Sequence, residues 1–144
     1  MKTVKDILLD KGPEVLRIDQ EQTVYAALIK MAEADVGALV VVNGQGKVVG
    51  LMSERDYARK VILKGASSLE TKVKSIMEEK VCYVLPGQSI EECMALVTEK
   101  RSRYLPVMDN GDLVGLVSLG DLVKASISEK EFLINQLTNY IHSG

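Results

Sequence analysis

The feature that most restricts how this chain of 144 residues can fold is that it is written twice. "VKDIL" at 4–8 returns as "VKSIM" at 73–77. "EVLRIDQEQTVYAALIKM" at 14–31 returns more loosely as "KVCYVLPGQSIEECMALV" at 80–97. "VGALVVVNGQGKVVGLMSERD" at 36–56 returns as "SRYLPVMDNGDLVGLVSLGD" at 102–121, one residue shorter at its turn. A repeat held in register along the chain requires one supersecondary unit used twice. The copies divide the chain into residues 1–66, residues 67–128 and a terminal helix over 129–144.

Each copy reads in the same order. A short apolar stretch without helical period (Val15, Leu16, Ile18; Val81, Tyr83, Leu85) predicts a strand. A helix follows, started at Thr23 and at Ser89, with Val24, Ala27, Leu28 and Met31, then Ile90, Cys93, Met94 and Val97, at the i, i+3, i+4, i+7 spacing of a core-facing stripe. Ser89 and Glu92 also have the spacing of a capping box. "ALVVV" and "YLPVM" then run through "NGQG" and "DNGD" into "KVVGLMS" and "DLVGLVS", which is strand, tight turn, strand. A last helix sets out at Asp56 and at Asp121, the first stopping at Gly65. The unit is β-α-β-β-α behind a short leading helix, an α/β (α+β type) arrangement. A unit of about 60 residues hides its apolar face poorly alone, so two copies are expected to pack through their sheets about a pseudo-twofold axis.

Composition narrows the function classes. With 47% hydrophobic residues, no Trp and one Phe, the core must be aliphatic. A net charge of −2, spread over both halves, gives no concentrated basic face for duplex nucleic acid. No apolar run reaches the ~20 residues of a membrane span. Cys82 and Cys93 are isolated, so a disulfide framework is not expected and a cytoplasmic setting is. "GQGKVVG" at 44–50 lacks the Ser or Thr after Lys47 that a phosphate loop needs, and its glycines lead into a strand; it reads as a hairpin turn. His142 is the only histidine. No assembled nucleophile, base and oxyanion donor is found, and the chain is not read as an enzyme.

The junction that closes each copy carries the chemistry. In "GLMSERD" (50–56) and "GLVSLGD" (115–121) a strand ends in Gly, two apolar residues and Ser, with Asp three residues later. The plain account is a helix cap: hydroxyl to backbone N–H, acid near the positive helix end. The same geometry suits a ligand, because the helix start welcomes a phosphate, the carboxylate can accept from a ribose diol, and the apolar strand offers a wall to a base. Together these make a nucleotide, and the repeat implies two related sites.

These residues, with "SRYLPVMD" in the second copy, resemble a tandem pair of cystathionine-β-synthase (CBS) domains, a Bateman module, over about Val4 to Ser128. The resemblance implies a regulatory module that binds an adenosine ligand (AMP, ADP, ATP, an NAD-type dinucleotide or an S-adenosyl compound) in two clefts between the copies, pairs as a homodimer and passes ligand state to a protein target. It implies that Ser118 and Asp121 hold phosphate and ribose in one cleft, with Val15, Leu16, Val36 and Gly37 framing the base. In the other, Ser53 and Asp56 would hold, with Val81, Cys82, Arg103 and Tyr104 opposite and Arg103 or Arg55 towards the phosphates. Gly37 stands where the second copy has Arg103, so the Ser118 cleft is expected to be poorer in cations unless Arg or Lys comes from elsewhere. A dimerisation scaffold with vestigial clefts is the alternative. For the terminal helix, whose apolar face would carry Phe132, Leu133, Leu137, Tyr140 and Ile141, docking on the chain's own core is the default expectation and a second chain the other.

Overall fold

A computed structural model describes residues 1–143, apart from the side chains of Phe132 and of residues 140–143. The Phe132, Tyr140 and Ile141 part of the expected helix face therefore lies outside the described residues. Two compact units are formed, Val15–Val81 and Met1–Glu14 together with Cys82–Gly144.

In the unit of residues 15–81, strand β1 (Arg17–Asp19) runs parallel to β2 (Ala38–Val42), with helix α2 (Val24–Ala34) between them, and β3 (Val48–Ser53) returns antiparallel to β2. Thr23 Oγ accepts the Ala26 N–H at 3.1 Å, so the expected start signal caps α2. Val24, Ala27 and Met31 bury their stripe among Ile18, Leu39, Val41 and Met52. Each Val, Leu, Ile or Met side chain among them contributes about 1.5–3 kcal/mol on full burial. Helix α3 (Glu54–Tyr57) continues as a π-helical turn over Ala58–Ile62 and ends at Gly65, whose φ of +68° is the left-handed stop that glycine adopts readily.

The other unit repeats the order with α4 (Ile90–Lys100), β4 (Tyr104–Asp109), β5 (Asp112–Ser118) and α5 (Leu119–Ser143). Asn110 and Gly111 both have positive φ, as a two-residue hairpin turn demands. In both copies the hairpin register shifts once, at Val41/Val42 and at Val107/Met108. The strand expected around Val81, Tyr83 and Leu85 is cut down to one bridge, Val84 to Val107. Val84 is buried while Tyr83 and Leu85 on either side of it are exposed. Pro86, without an N–H to donate, ends the pairing.

The lead-in segments are exchanged. Helix α1 (Val4–Lys11) begins the first copy in sequence, yet its Val4 and Ile7 lie in the core of the second with Leu105, Val117 and Leu122. "VKSIM", which begins the second copy, places Val73 and Ile76 in the core of the first. The repeat boundary at 66/67 is thus a boundary of sequence and not of packing.

Two expectations about the chain's end are corrected. Residues 129–143 form no helix of their own, because α5 runs unbroken from Leu119. Nor do the described apolar side chains of this stretch dock on the chain's own core: Leu133, Ile134 and Leu137 are 55%, 61% and 64% exposed.

Candidate ligand site

Both motif junctions are built alike, and the capping account is realised at each. Ser53 donates its N–H to Asp56 Oδ2 at 2.9 Å and its hydroxyl to the same oxygen at 3.1 Å, while the Asp56 N–H donates to Ser53 Oγ at 3.2 Å. In the second copy the Ser118 N–H donates to Asp121 Oδ2 at 2.9 Å and the Asp121 N–H to Ser118 Oγ at 3.1 Å. The residues before the hairpins are equivalent too: the Gly37 carbonyl accepts the Glu54 N–H at 3.0 Å, and the Arg103 carbonyl accepts the Leu119 N–H at 2.8 Å. Each box therefore fixes its carboxylate at the start of a helix, half-buried, with one oxygen committed to the backbone.

The glycine that opens each motif has a structural cause. A Cβ on Gly115 would lie 2.4 Å from Leu8 Cδ2, and one on Gly50 would lie 2.8 Å from Met77 Sδ and 2.9 Å from the Glu78 carbonyl oxygen. Leu8 and Met77 are the matching residues of the exchanged lead-ins, so Gly is the space into which each lead-in packs.

A lysine completes each box, from a different place each time. Lys11, in the last turn of α1, donates to Asp121 Oδ2 at 2.8 Å and to the Leu116 carbonyl at 2.8 Å. Burial pushes the Asp121 pKa up, but the Lys11 ammonium and the Ser118 N–H together outweigh it and leave the carboxyl below its ordinary value. In the first copy Lys60 lies 3.3 Å from Asp56 Oδ1, one helical turn on, and donates to the Ile76 carbonyl at 2.9 Å. Neither lysine was anticipated. Lys60 has a readable signal in its i+4 spacing from Asp56, whereas nothing local to Lys11 announces Asp121.

Around the start of α5 lies an open cavity of about 660 Å³, lined by Arg103, Tyr104, Ser118, Leu119, Gly120, Val123, Lys124, Ile127 and Ser128. The structure thus brings Arg103 and Tyr104 together with Ser118 inside one unit, and adds Lys124. The Ser118 end thus has two cations at its cavity, and the exception allowed for in the expectation drawn from Gly37, Arg or Lys from elsewhere, is the case there. Among the described residues neither Arg103 nor Lys124 makes an ion pair. Asp121 stands beside this cavity and is not part of its lining.

The remaining expected residues divide between the units. Leu16 and Val36, half-buried, pack on the core of residues 15–81, and the Leu16 carbonyl accepts the Val40 N–H at 3.2 Å. Val15 and Val81, also half-buried, sit at the two ends of that unit, and Arg55 is exposed on the first turn of α3. Cys82 packs against the core of the other unit. Among the described residues no group of three His, Cys, Asp or Glu could hold a metal, and no helix is long and apolar enough to cross a membrane.

Comparison with known proteins decides the family. The CBS domain model matches residues 4–63 and again 73–128. The chain belongs to the CBS-domain family. It is 38% identical to the mitochondrial CBS domain-containing protein CBSX3 of Arabidopsis thaliana, over 99% of this chain and 73% of that one. To the CBS domain-containing protein YhcV of Bacillus subtilis it is 32% identical, over 99% and 97% of the two chains. Among solved structures, a putative signal-transduction protein with CBS domains from Burkholderia ambifaria superposes with a TM-score of 0.84 at 50% identity, covering 88% of this chain and 95% of that one. The tandem β-α-β-β-α repeats are a CBS pair, a module of the regulatory and signal-transduction type, and no catalytic family is indicated.

Proposed function

We propose that this CBS pair is a sensor of adenosine nucleotides (AMP, ADP, ATP or NAD(H)) that acts as a homodimer and passes its ligand state to a protein target. The observation that carries the reading is the start of α5, where a fixed half-buried carboxylate, Asp121, stands next to a cavity with two cations, Arg103 and Lys124, that make no ion pair among the described residues. A ribose diol suits the first and a phosphate chain the second, with the N-terminus of a 25-residue helix adding its partial positive charge. Tyr104 and Val123 supply flat and apolar surface for the base. The exposed row of Leu133, Ile134 and Leu137 on the same helix supports pairing with a second copy, because apolar residues at helical spacing lose by staying in water. That row also favours the second reading, a dimerisation scaffold with vestigial sites, if no ligand binds.

A melting-temperature screen tests the proposal. At 100 times its dissociation constant a ligand of the folded state adds ~2.7 kcal/mol per site, which for a domain of this size raises the melting temperature by roughly 5–10 °C. AMP, ADP, ATP and NAD(H) should share the effect to differing degrees. Guanosine and 2′-deoxyadenosine nucleotides should do less, the first for its base edge and the second for its missing hydroxyl. A flat profile across the whole panel at millimolar concentration would leave the scaffold as the better account.

A further inference from the structure

The two motif carboxylates, alike in their caps, differ in which oxygen their lysine takes. At Asp121 the Ser118 N–H and Lys11 Nζ both use Oδ2, so the lysine leaves Oδ1 to others. At Asp56 the Ser53 donors use Oδ2 and Lys60 lies against Oδ1, so both oxygens are engaged from within the chain. Lys60 is held there by more than attraction. Acid before lysine at i, i+4 is the favourable order on a helix, and its second bond, to the Ile76 carbonyl, ties the ammonium to the lead-in segment packed on that unit. A diol arriving at Asp56 must displace this cation, whereas one arriving at Asp121 finds an oxygen that the lysine does not occupy and a lysine already holding the carboxylate charged. In the second copy the position matching Lys60 is Ala125, which is buried and apolar, so no side chain there can compete.

We infer that Lys60 is a built-in occupant of the first motif, and that the chain takes one adenosine nucleotide, at Asp121, while Asp56 stays masked. The inference rests on the proposed nucleotide reading and is tested apart from it by stoichiometry. Equilibrium dialysis of the full-length protein with labelled ATP should give one nucleotide per chain, lost in Asp121→Asn and retained in Asp56→Asn. Lys60→Gln removes the charge but keeps a donor for the Ile76 carbonyl; it should gain a second nucleotide per chain, tightening the first motif by roughly 10- to 150-fold, the range of one hydrogen bond to a charged group. Lys60→Arg, which keeps the cation, should remain at one. A circular-dichroism melt of each variant confirms that it is folded at the temperature of the assay. Two nucleotides per wild-type chain, or one per chain in a folded Lys60→Gln, overturns the masking of Asp56 and leaves the nucleotide reading intact. No binding by any of these proteins overturns both.

Discussion

Asp121 is shared by a backbone N–H and an ammonium, and the sharing has a consequence that pH can reveal. Its pKa in the folded state lies below the unfolded value: burial raises it, and Lys11 and Ser118 lower it by more. A carboxyl of that kind stabilises the fold fully above the ordinary aspartate pKa of about 3.9 and loses the contribution as pH falls through the lower folded-state value. In Lys11→Met the carboxyl keeps its burial and loses its strongest partner. Its pKa, followed by the carboxyl carbon resonance in an NMR titration, should rise, and the acid limb of the stability curve should move to higher pH. An unchanged titration in that variant would mean that Lys11 does not hold Asp121 in solution. At Cys93 the influences all point upward: desolvation first, then the neighbouring Glu92 and Cys82, take its thiol up to about 11. It stays a packed thiol at neutral pH, because the thiolate is the reactive form.

The elements show why a repeat was legible and its exchange was not. Caps, stripes and turns are local, so Thr23, Ser89, "DNGD" and the apolar spacing of α2 and α4 announced themselves in the order of the residues. The partner of each lead-in is not local. Nothing in "VKDIL" says that Leu8 will pack on Gly115, although the Gly that opens each signature is the matching half of that contact. The short strand before α4 failed for a similar reason: apolar residues alternate there, but which of them faces inward is settled by Val107 and by the break at Pro86. The glycine contacts can be tested directly. In Gly50→Ala the new methyl meets the Glu78 backbone carbonyl, which cannot swing aside. In Gly115→Ala it meets the end of the Leu8 side chain, which can change rotamer. Overpacking costs about 1–3 kcal/mol, so Gly50→Ala should lower the melting temperature by roughly 3–10 °C and Gly115→Ala by less. Equal losses, or the reverse order in calorimetry, would contradict this account of the signature glycine.

For the whole molecule, the family and the two motif acids could be read from sequence because a repeated signature marks both ends of each copy. The cationic character of the Ser118 end could not. Arg103 and Lys124 come from the hairpin entry and from the second turn of α5, and only the folded β4–β5–α5 arrangement sets them at one cavity. The continuation of α5 past the matched residues was likewise hidden, since an apolar helix face reads the same whether it docks on its own core or waits for a partner. The cavity and the exposed row therefore share one helix, with Ile127 at the cavity and Leu133, Ile134 and Leu137 beyond it. On the proposed reading, a nucleotide bound at the start of α5 would act on the helix that carries the exposed row. Native mass spectrometry of the full-length protein with ATP reads both properties in one spectrum. The account predicts a species at twice the 15.8 kDa chain mass carrying nucleotide, and an Asp121→Ala protein that keeps the dimer mass and loses the nucleotide. A monomer, or a dimer that stays bare at saturating ATP, would contradict it.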